Sequence, residues 1–289
     1  LLRRINILFK VIKNFINKKT LMIFLIAIAA FGLTGCSTDT VKTKLGFKNS
    51  DFEYIKQNKI EKIVIQNKRD PGYRFIVTDR KTIQELYDIL SSAREAKEKS
   101  SLDADYTFEM YEDHDKVHKF HYIVGLDKKN GGNLYGDGKV YIVSKRIDND
   151  IIKSFWSIRI PKDFTYIYYN SILEVLDKYM GKDTDNKKVG INLYEDIDIQ
   201  KFILSTDLEN FKSKLSSKYN NVELIQEENS KYDVVITIKT QGYKRLLYKS
   251  MVTVYNRQDK SEKKYYFKAE YKNRKWTMNV YDKKPKGFN

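Results

Sequence analysis

From residue 60 onward, the spacing of hydrophobic positions switches between a period of two and a helical period. Ile63-Val64-Ile65 and Tyr73-Arg74-Phe75-Ile76-Val77 are short β-type runs, and Asp70-Pro71-Gly72 between them supplies turn chemistry, so the two predict a hairpin. Thr78-Asp79 then opens a stretch with Ile83, Leu86, Tyr87, Leu90 and Ala93 on one helical face. Asp79 is the residue type that accepts hydrogen bonds from the free amides of a first turn. Residues 106–111 and 117–124 alternate, and Glu112-Asp113-His114-Asp115-Lys116 between them predicts a second hairpin. A glycine-rich turn (Gly131, Gly132, Gly136, Gly138) leads to the strand Val140-Tyr141-Ile142-Val143. Asp148 is placed to cap a helix carrying Ile151, Ile152, Phe155 and Trp156 on one face. A third helix is expected near residues 171–180, ending at Gly181.

Residues 182–188 are polar and predict a linker. Beyond it the pattern gives a strand near residues 201–204 and a helix from about Thr206 with Leu208, Phe211 and Leu215 on one face. Strands follow at 222–226, 232–239, 246–255, 263–271 and 275–281. The fold class is α+β, with two small antiparallel-sheet domains and packed helices. The second, one helix followed by a meander, is similar to cystatin- or NTF2-like folds, and the hairpin at Trp276 is similar to the closing hairpin of such domains. The alternating α/β pattern of a doubly wound parallel sheet is absent, which argues against a two-lobed solute-binding protein. Phe75-Ile76-Val77-Thr78-Asp79 and Phe202-Ile203-Leu204-Ser205-Thr206-Asp207 look alike, a likeness that reuse of Thr and Asp at helix starts explains.

The N-terminal end reads differently. Lys18-Lys19-Thr20 precedes twelve uncharged, largely apolar residues (21–32) and then Leu33-Thr34-Gly35-Cys36. Twelve residues are too few for a stable membrane span, which needs about 20. A basic flank, an apolar run and small residues before a cleavage point form a secretory signal. The tetrad ending in the chain's one cysteine resembles the lipobox of bacterial membrane lipoproteins. That resemblance implies cleavage between Gly35 and Cys36 and a diacylglyceryl, palmitate-type lipid anchor on Cys36. The protein would then sit on the extracytoplasmic face of the cell membrane, held stably because two acyl chains suffice where one does not. The expected organisation is a lipoprotein signal peptide (1–35), a lipidated tether (36–57), an α+β domain (58–181), a linker (182–190) and a basic α+β domain (191–289). The stretch before Lys18 is longer than such a signal needs, and residues 1 to about 17 are expected to precede the true start.

The first domain also resembles the YhfM-like domain of Gram-positive lipoproteins over roughly residues 58–160. The matching features are Ile63-Val64-Ile65, the strand running into Thr78-Asp79 and its helix, and Leu102-Asp103-Ala104-Asp105-Tyr106. Phe120-His121-Tyr122-Ile123 and Gly138-Lys139-Val140-Tyr141 also fit. The resemblance implies no established activity.

Charge narrows the functional choices. Residues 231–289 hold 16 basic and 5 acidic residues, and they carry most of the excess over the signal segment. Lys244, Arg245, Lys249, Lys263, Lys264, Lys268, Lys272, Arg274 and Lys275 interleave with tyrosines and form a candidate polyanion-binding set. Behind an export signal the expected partners are teichoic acid, anionic lipid headgroups or another envelope protein, and not nucleic acid. His118 and His121 are three apart on a strand and should face opposite sides, so no metal site is expected from the histidines. Asp127-Lys128-Lys129-Asn130-Gly131 and Asp183-Thr184-Asp185-Asn186 carry the wrong ligands for calcium. Gly136-x-Gly138-Lys139 lacks phosphate-loop spacing. No nucleophile motif is present, and Asp103/Asp105 and Asp148/Asp150 fit turns or caps. No cofactor is expected. The leading expectation is a non-enzymatic binding or accessory module; the alternative is a cell-envelope enzyme, which would need a cleft around Asp103, Asp105, His118 or His121.

Overall fold

The computed structural model describes residues 48–112, 116–126, 131–151, 159–180, 187–226 and 231–288. Cys36 with its signal, His114, the 127–130 loop, Trp156 and the rest of 152–158, and residues 181–186 lie outside the described residues.

Alternation writes the first sheet. Strand β1 (Lys62–Asn67) turns Ile63, Ile65 and Asn67 inward and pairs antiparallel with β2 (Arg74–Val77) through the expected hairpin. Helix α1 (Glu53–Lys56), within the stretch expected as tether, places Phe52 and Ile55 in the core. Helix α2 (Arg80–Leu90) starts where Asp79 accepts a hydrogen bond from the Thr82 amide, and it buries Ile83, Leu86, Tyr87 and Leu90. Strand β3 (Arg94–Glu95) is a two-residue edge, and β4 (Tyr106–Tyr111) and β5 (Val117–Tyr122) form the second hairpin. Strands β6 (Leu134–Gly136) and β7 (Lys139–Ile142) add a third hairpin whose turn, Asp137-Gly138, has both residues at positive φ. That geometry suits the right-handed strand twist and accounts for Gly138 without any phosphate. The resulting antiparallel order is β2-β1-β4-β5-β6-β7-β3.

A second sheet follows α3 (Phe164–Met180), which starts seven residues before the expected position. Its first seven residues are mostly aromatic and β-branched, so their composition reads as strand although they pack as helix. Strand β8 (Val189–Asn192) is buried along its whole length, and a short 3-10 turn (Ile197–Phe202) leads to α4 (Ser205–Lys218). Then come β9 (Val222–Leu224), β10 (Val234–Lys244), β11 (Leu247–Asn256), β12 (Ser261–Lys272) and β13 (Lys275–Tyr281). The meander β10 to β13 matches the expectation. The parallel pairing of β8 with both β10 and β9 does not: α4, expected as a helix, is the crossover of a βαβ unit from β8 to β9, and the strand expected at 201–204 is instead the end of the 3-10 turn and the lead into α4. β8 was hidden because a four-residue strand buried on both faces shows no alternation. Gly190 is required there, since a Cβ would stand 2.6 Å from the Tyr232 ring.

Residues 201–206, which include the segment expected as a strand at 201–204, stitch the two sheets together. Leu204 is buried in the first core, Arg69 donates to the Ile203 carbonyl and to Ser205 Oγ, and the Ser205 amide donates to Asp105. Asp51–Asn289 forms one compact unit, and among the described residues every member of both large cores lies between Phe52 and Ala269.

The expected α-helix from Asp148 is replaced, over its described part, by one π-helical turn at Ile147–Ile151. Asp148 does not cap it. The side chain is buried and accepts hydrogen bonds from Tyr122 Oη (2.7 Å) and the Gly125 amide (3.2 Å).

Candidate functional site

The nine basic residues divide into two groups. Along β12 the lysines face carboxylates: Lys263 lies 3.7 Å from Asp282, Lys264 2.9 Å from Glu262, Lys268 3.1 Å and Lys272 3.4 Å from Glu270. Lys249 pairs across from Lys268, and its ammonium donates to the Gly287 carbonyl beside the buried Phe288 ring, so the C-terminal tail folds over part of this face. Lys268 and Glu270 alternate with the buried Phe267 and Ala269, and the outward face they form with Lys272 is a mixed-charge one.

Lys244, Arg245, Arg274 and Lys275 differ. Among the described residues none of them has a carboxylate within ion-pair distance, and all four are exposed. Strands β10 to β13 run antiparallel, so the β10–β11 turn (Lys244, Arg245) and the β12–β13 turn (Arg274) lie at the same end of the sheet, where Lys272 pairs with Lys275. The Tyr271 amide donates to the Leu246 carbonyl, tying the two turns together. Lys162 joins them: its amide donates to the Arg245 carbonyl, and its ammonium sits 4.1 Å from the Tyr271 ring centroid. Trp276 donates 3.1 Å to Asp163, which fixes the hairpin to the start of α3. Beside this end lies a hollow of about 490 Å³ lined by Arg159, Lys162, Asp163, Tyr166 and Arg245. Tyr166 and Leu246 are large and half-exposed. Arg274 itself has φ +62°, after Asn273 at +52°. An Asn-Gly pair is what such a two-residue turn favours, so a bulky cation is held where the backbone prefers glycine.

A second concavity, about 820 Å³, lies between the sheets. One wall is an outward row of the first sheet, in which Thr107, His121 and Tyr135 are cross-strand neighbours. The opposite wall carries Leu193, Tyr194, Ile203, Leu208, Lys212 and Leu224, and Lys68, Arg69 and Asp103 line the cleft as well. Asp105 stands behind it, fully buried, receiving Arg69 Nη1 at 2.7 Å, the Val124 amide at 2.9 Å and the Ser205 amide at 2.8 Å. Burial pushes its pKa up, and Arg69 with the two amides opposes that push. With its oxygens so engaged, Asp105 is a structural carboxylate, not the turn residue expected from sequence. Nothing local could have shown this, because its donors lie 36, 19 and 100 positions away.

The histidines take separate environments. His118 stacks on Tyr54 (3.9 Å between centroids) and meets Glu112 at 2.9 Å; Lys116 first, and His118 after it, draw the Glu112 pKa down to about 2. His121 lies beside Thr107 Oγ1 and 5.2 Å from the Tyr135 ring, and burial followed by Lys68, Lys119 and Lys99 lowers its pKa. Among the described residues no three His, Cys, Asp or Glu side chains gather as a metal-binding group.

Residues 56–161 match the family model described as YhfM protein. That segment is the first sheet with α2 and the π turn, and it stops at Pro161, just before α3. It contains the His121 wall of the cleft and excludes the basic turns. No curated protein and no solved structure matches the chain.

Proposed function

We propose that the chain is a membrane-anchored extracytoplasmic lipoprotein. Its lipid anchor is diacylglyceryl-Cys36, and its folded unit is a non-enzymatic binding or accessory module for an anionic envelope polymer. The lipobox motif and the YhfM match of residues 56–161 support the setting. The observation that carries the binding reading is the end of the second sheet, where Lys244, Arg245, Arg274 and Lys275 stand exposed and, among the described residues, without carboxylate partners. Cations already paired on a surface gain little from a new anion, whereas unpaired ones displace counterions and gain salt-dependent affinity.

The experiment mixes the chain with purified cell walls that retain or lack teichoic acid, across a salt series. Binding is expected to need the polymer and to fall with salt. Reversing Lys244, Arg245 and Lys275 to Glu should abolish it, while reversing Lys263 and Lys264 should leave most of it. Equal loss from both sets, or binding to stripped walls, refutes the assignment to this end. Mass spectrometry of the membrane-extracted protein tests the anchor: an N-terminus other than acylated Cys36 refutes it.

The cleft bearing His121 and Asp103 is the feature the alternative, a cell-envelope enzyme, would use. Asp105 is committed to Arg69 and two amides, and His118 sits elsewhere with Tyr54, which leaves that reading the weaker one.

A further inference from the structure

The cleft between the sheets has two unlike walls. The first-sheet side presents Lys68, Arg69, His121 and Tyr135, with Lys99 Nζ 5.0 Å from the Tyr135 centroid. The second-sheet side presents Leu193, Ile203, Leu208 and Leu224, with Lys212 among them. Its charges do not cancel. Arg69 is neutralised by Asp105, but among the described residues Lys68 and Lys99 have no carboxylate within ion-pair distance and Lys212 reaches only Glu209 at 4.0 Å, so the single Asp103 leaves the lining net positive. A concavity of this volume is of the size that takes small molecules, with apolar lining for affinity and a few polar groups for orientation.

We infer that this cleft is a binding site for an amphiphilic anion: a phosphate or carboxylate head against Lys68 and Lys212, and an apolar body against Leu193, Leu208 and Leu224. The site is separate from the basic turns and uses no residue of theirs. His121 reports on it. The charged groups that face its ring are Lys68, Lys99 and Lys119, and the neutral ones in contact are Thr107 and Tyr135. Burial first and then these lysines lower the imidazole pKa, so an anion seated among the lysines makes protonation easier and raises it.

The test titrates the chain from Ser37 onward, which holds every residue of both large cores. The probes are hexyl phosphate, inorganic phosphate, hexanol and hexylammonium, each below its micelle concentration. The imidazole resonances are followed by NMR, with His118 as the internal reference and His121→Gln for assignment. Hexyl phosphate is expected to shift the His121 resonance and raise its pKa while leaving His118 still. Hexanol and inorganic phosphate should bind more weakly, and hexylammonium not at all. The surface double variant Lys68→Glu, Lys212→Glu should weaken hexyl phosphate binding by about tenfold, while Arg274→Gly should leave it unchanged. Three results would each overturn the inference: no shift with any probe, an equal shift with hexylammonium, or binding indifferent to the lysine reversals. Inorganic phosphate binding as tightly as hexyl phosphate would overturn the amphiphilic class.

Discussion

Arg274→Gly separates stability from binding in one substitution. Arg274 occupies the second position of the β12–β13 turn at φ +62°. For a residue with a Cβ that conformation costs about 1–2 kcal/mol, because the side chain crowds the following carbonyl. Glycine removes the crowding but gives the unfolded chain more freedom, worth about 0.5–1 kcal/mol in the opposite sense. Arg274 is exposed and makes no ion pair among the described residues, so nothing else is lost. The net expectation is a gain of about 0.5–1 kcal/mol, which for a unit of this size raises Tm by about 1–4 °C. Thermal and urea unfolding of the chain from Ser37 onward measures it. The same variant should bind teichoic-acid-bearing walls more weakly at low salt and less differently at high salt, since the lost charge is a screened, exposed one. A Tm that stays level or falls refutes the claim that the turn is strained. Wall binding unchanged at every salt refutes the reading that the strain is tolerated in exchange for a displayed guanidinium.

Two further expectations concern the buried carboxylates. Asp105→Ala should cost about 3–5 kcal/mol in urea unfolding, because it strands the half-buried Arg69 and two amides, and Arg69→Met should recover part of that in a double-mutant cycle; additive losses would mean that the pair does not act as a unit. Asp148 and Asp196 are both pushed up to about 6 by burial, so the folded state binds more protons than the unfolded one between their ordinary carboxylate range and pH 6. Stability should therefore fall as pH rises from about 3 to 7, by up to roughly 3 kcal/mol per group. Asp196→Asn, whose amide can still accept from the Thr240 amide and donate to Thr240 Oγ1, should remove about half of that slope; a urea midpoint that climbs over this interval contradicts the argument.

The hairpins and α2 were readable because their signals are local. Alternation fixes which side of β1, β4 and β12 is buried, and Asp79 marks the start of α2 within three residues of the amide it caps. β6 is only Leu134-Tyr135-Gly136, too short to carry a period, and β8 lacks one because both its faces are covered. The excess of positive charge in residues 231–289 could be counted from sequence. Its division could not, because Asp282 reaches Lys263 from beyond β13, and Lys244 and Arg245, without ion pairs among the described residues, share an end of the sheet with Lys275 only through the antiparallel order of four strands.

The seam between the sheets escaped the sequence reading for a deeper reason. A carboxylate is a short side chain with two acceptor oxygens, so once buried it can collect donors from segments that are remote in sequence. Asp105 gathers Arg69, Val124 and Ser205, and Asp196 holds Thr240 by both its amide and its hydroxyl. In a chain with a single cysteine, at position 36, no disulfide can tie such segments. Each carboxylate supplies a directional tie instead, and the upward pKa pressure at both groups is the cost of desolvating it. The charge pattern around Asp103 and Asp105 looks from sequence like a turn. In the fold, one of the two lines a cleft and the other fixes the two walls that form it. The cleft's shape therefore depends on Asp105, and its chemistry on the cations beside it, a separation that only the three-dimensional arrangement makes visible.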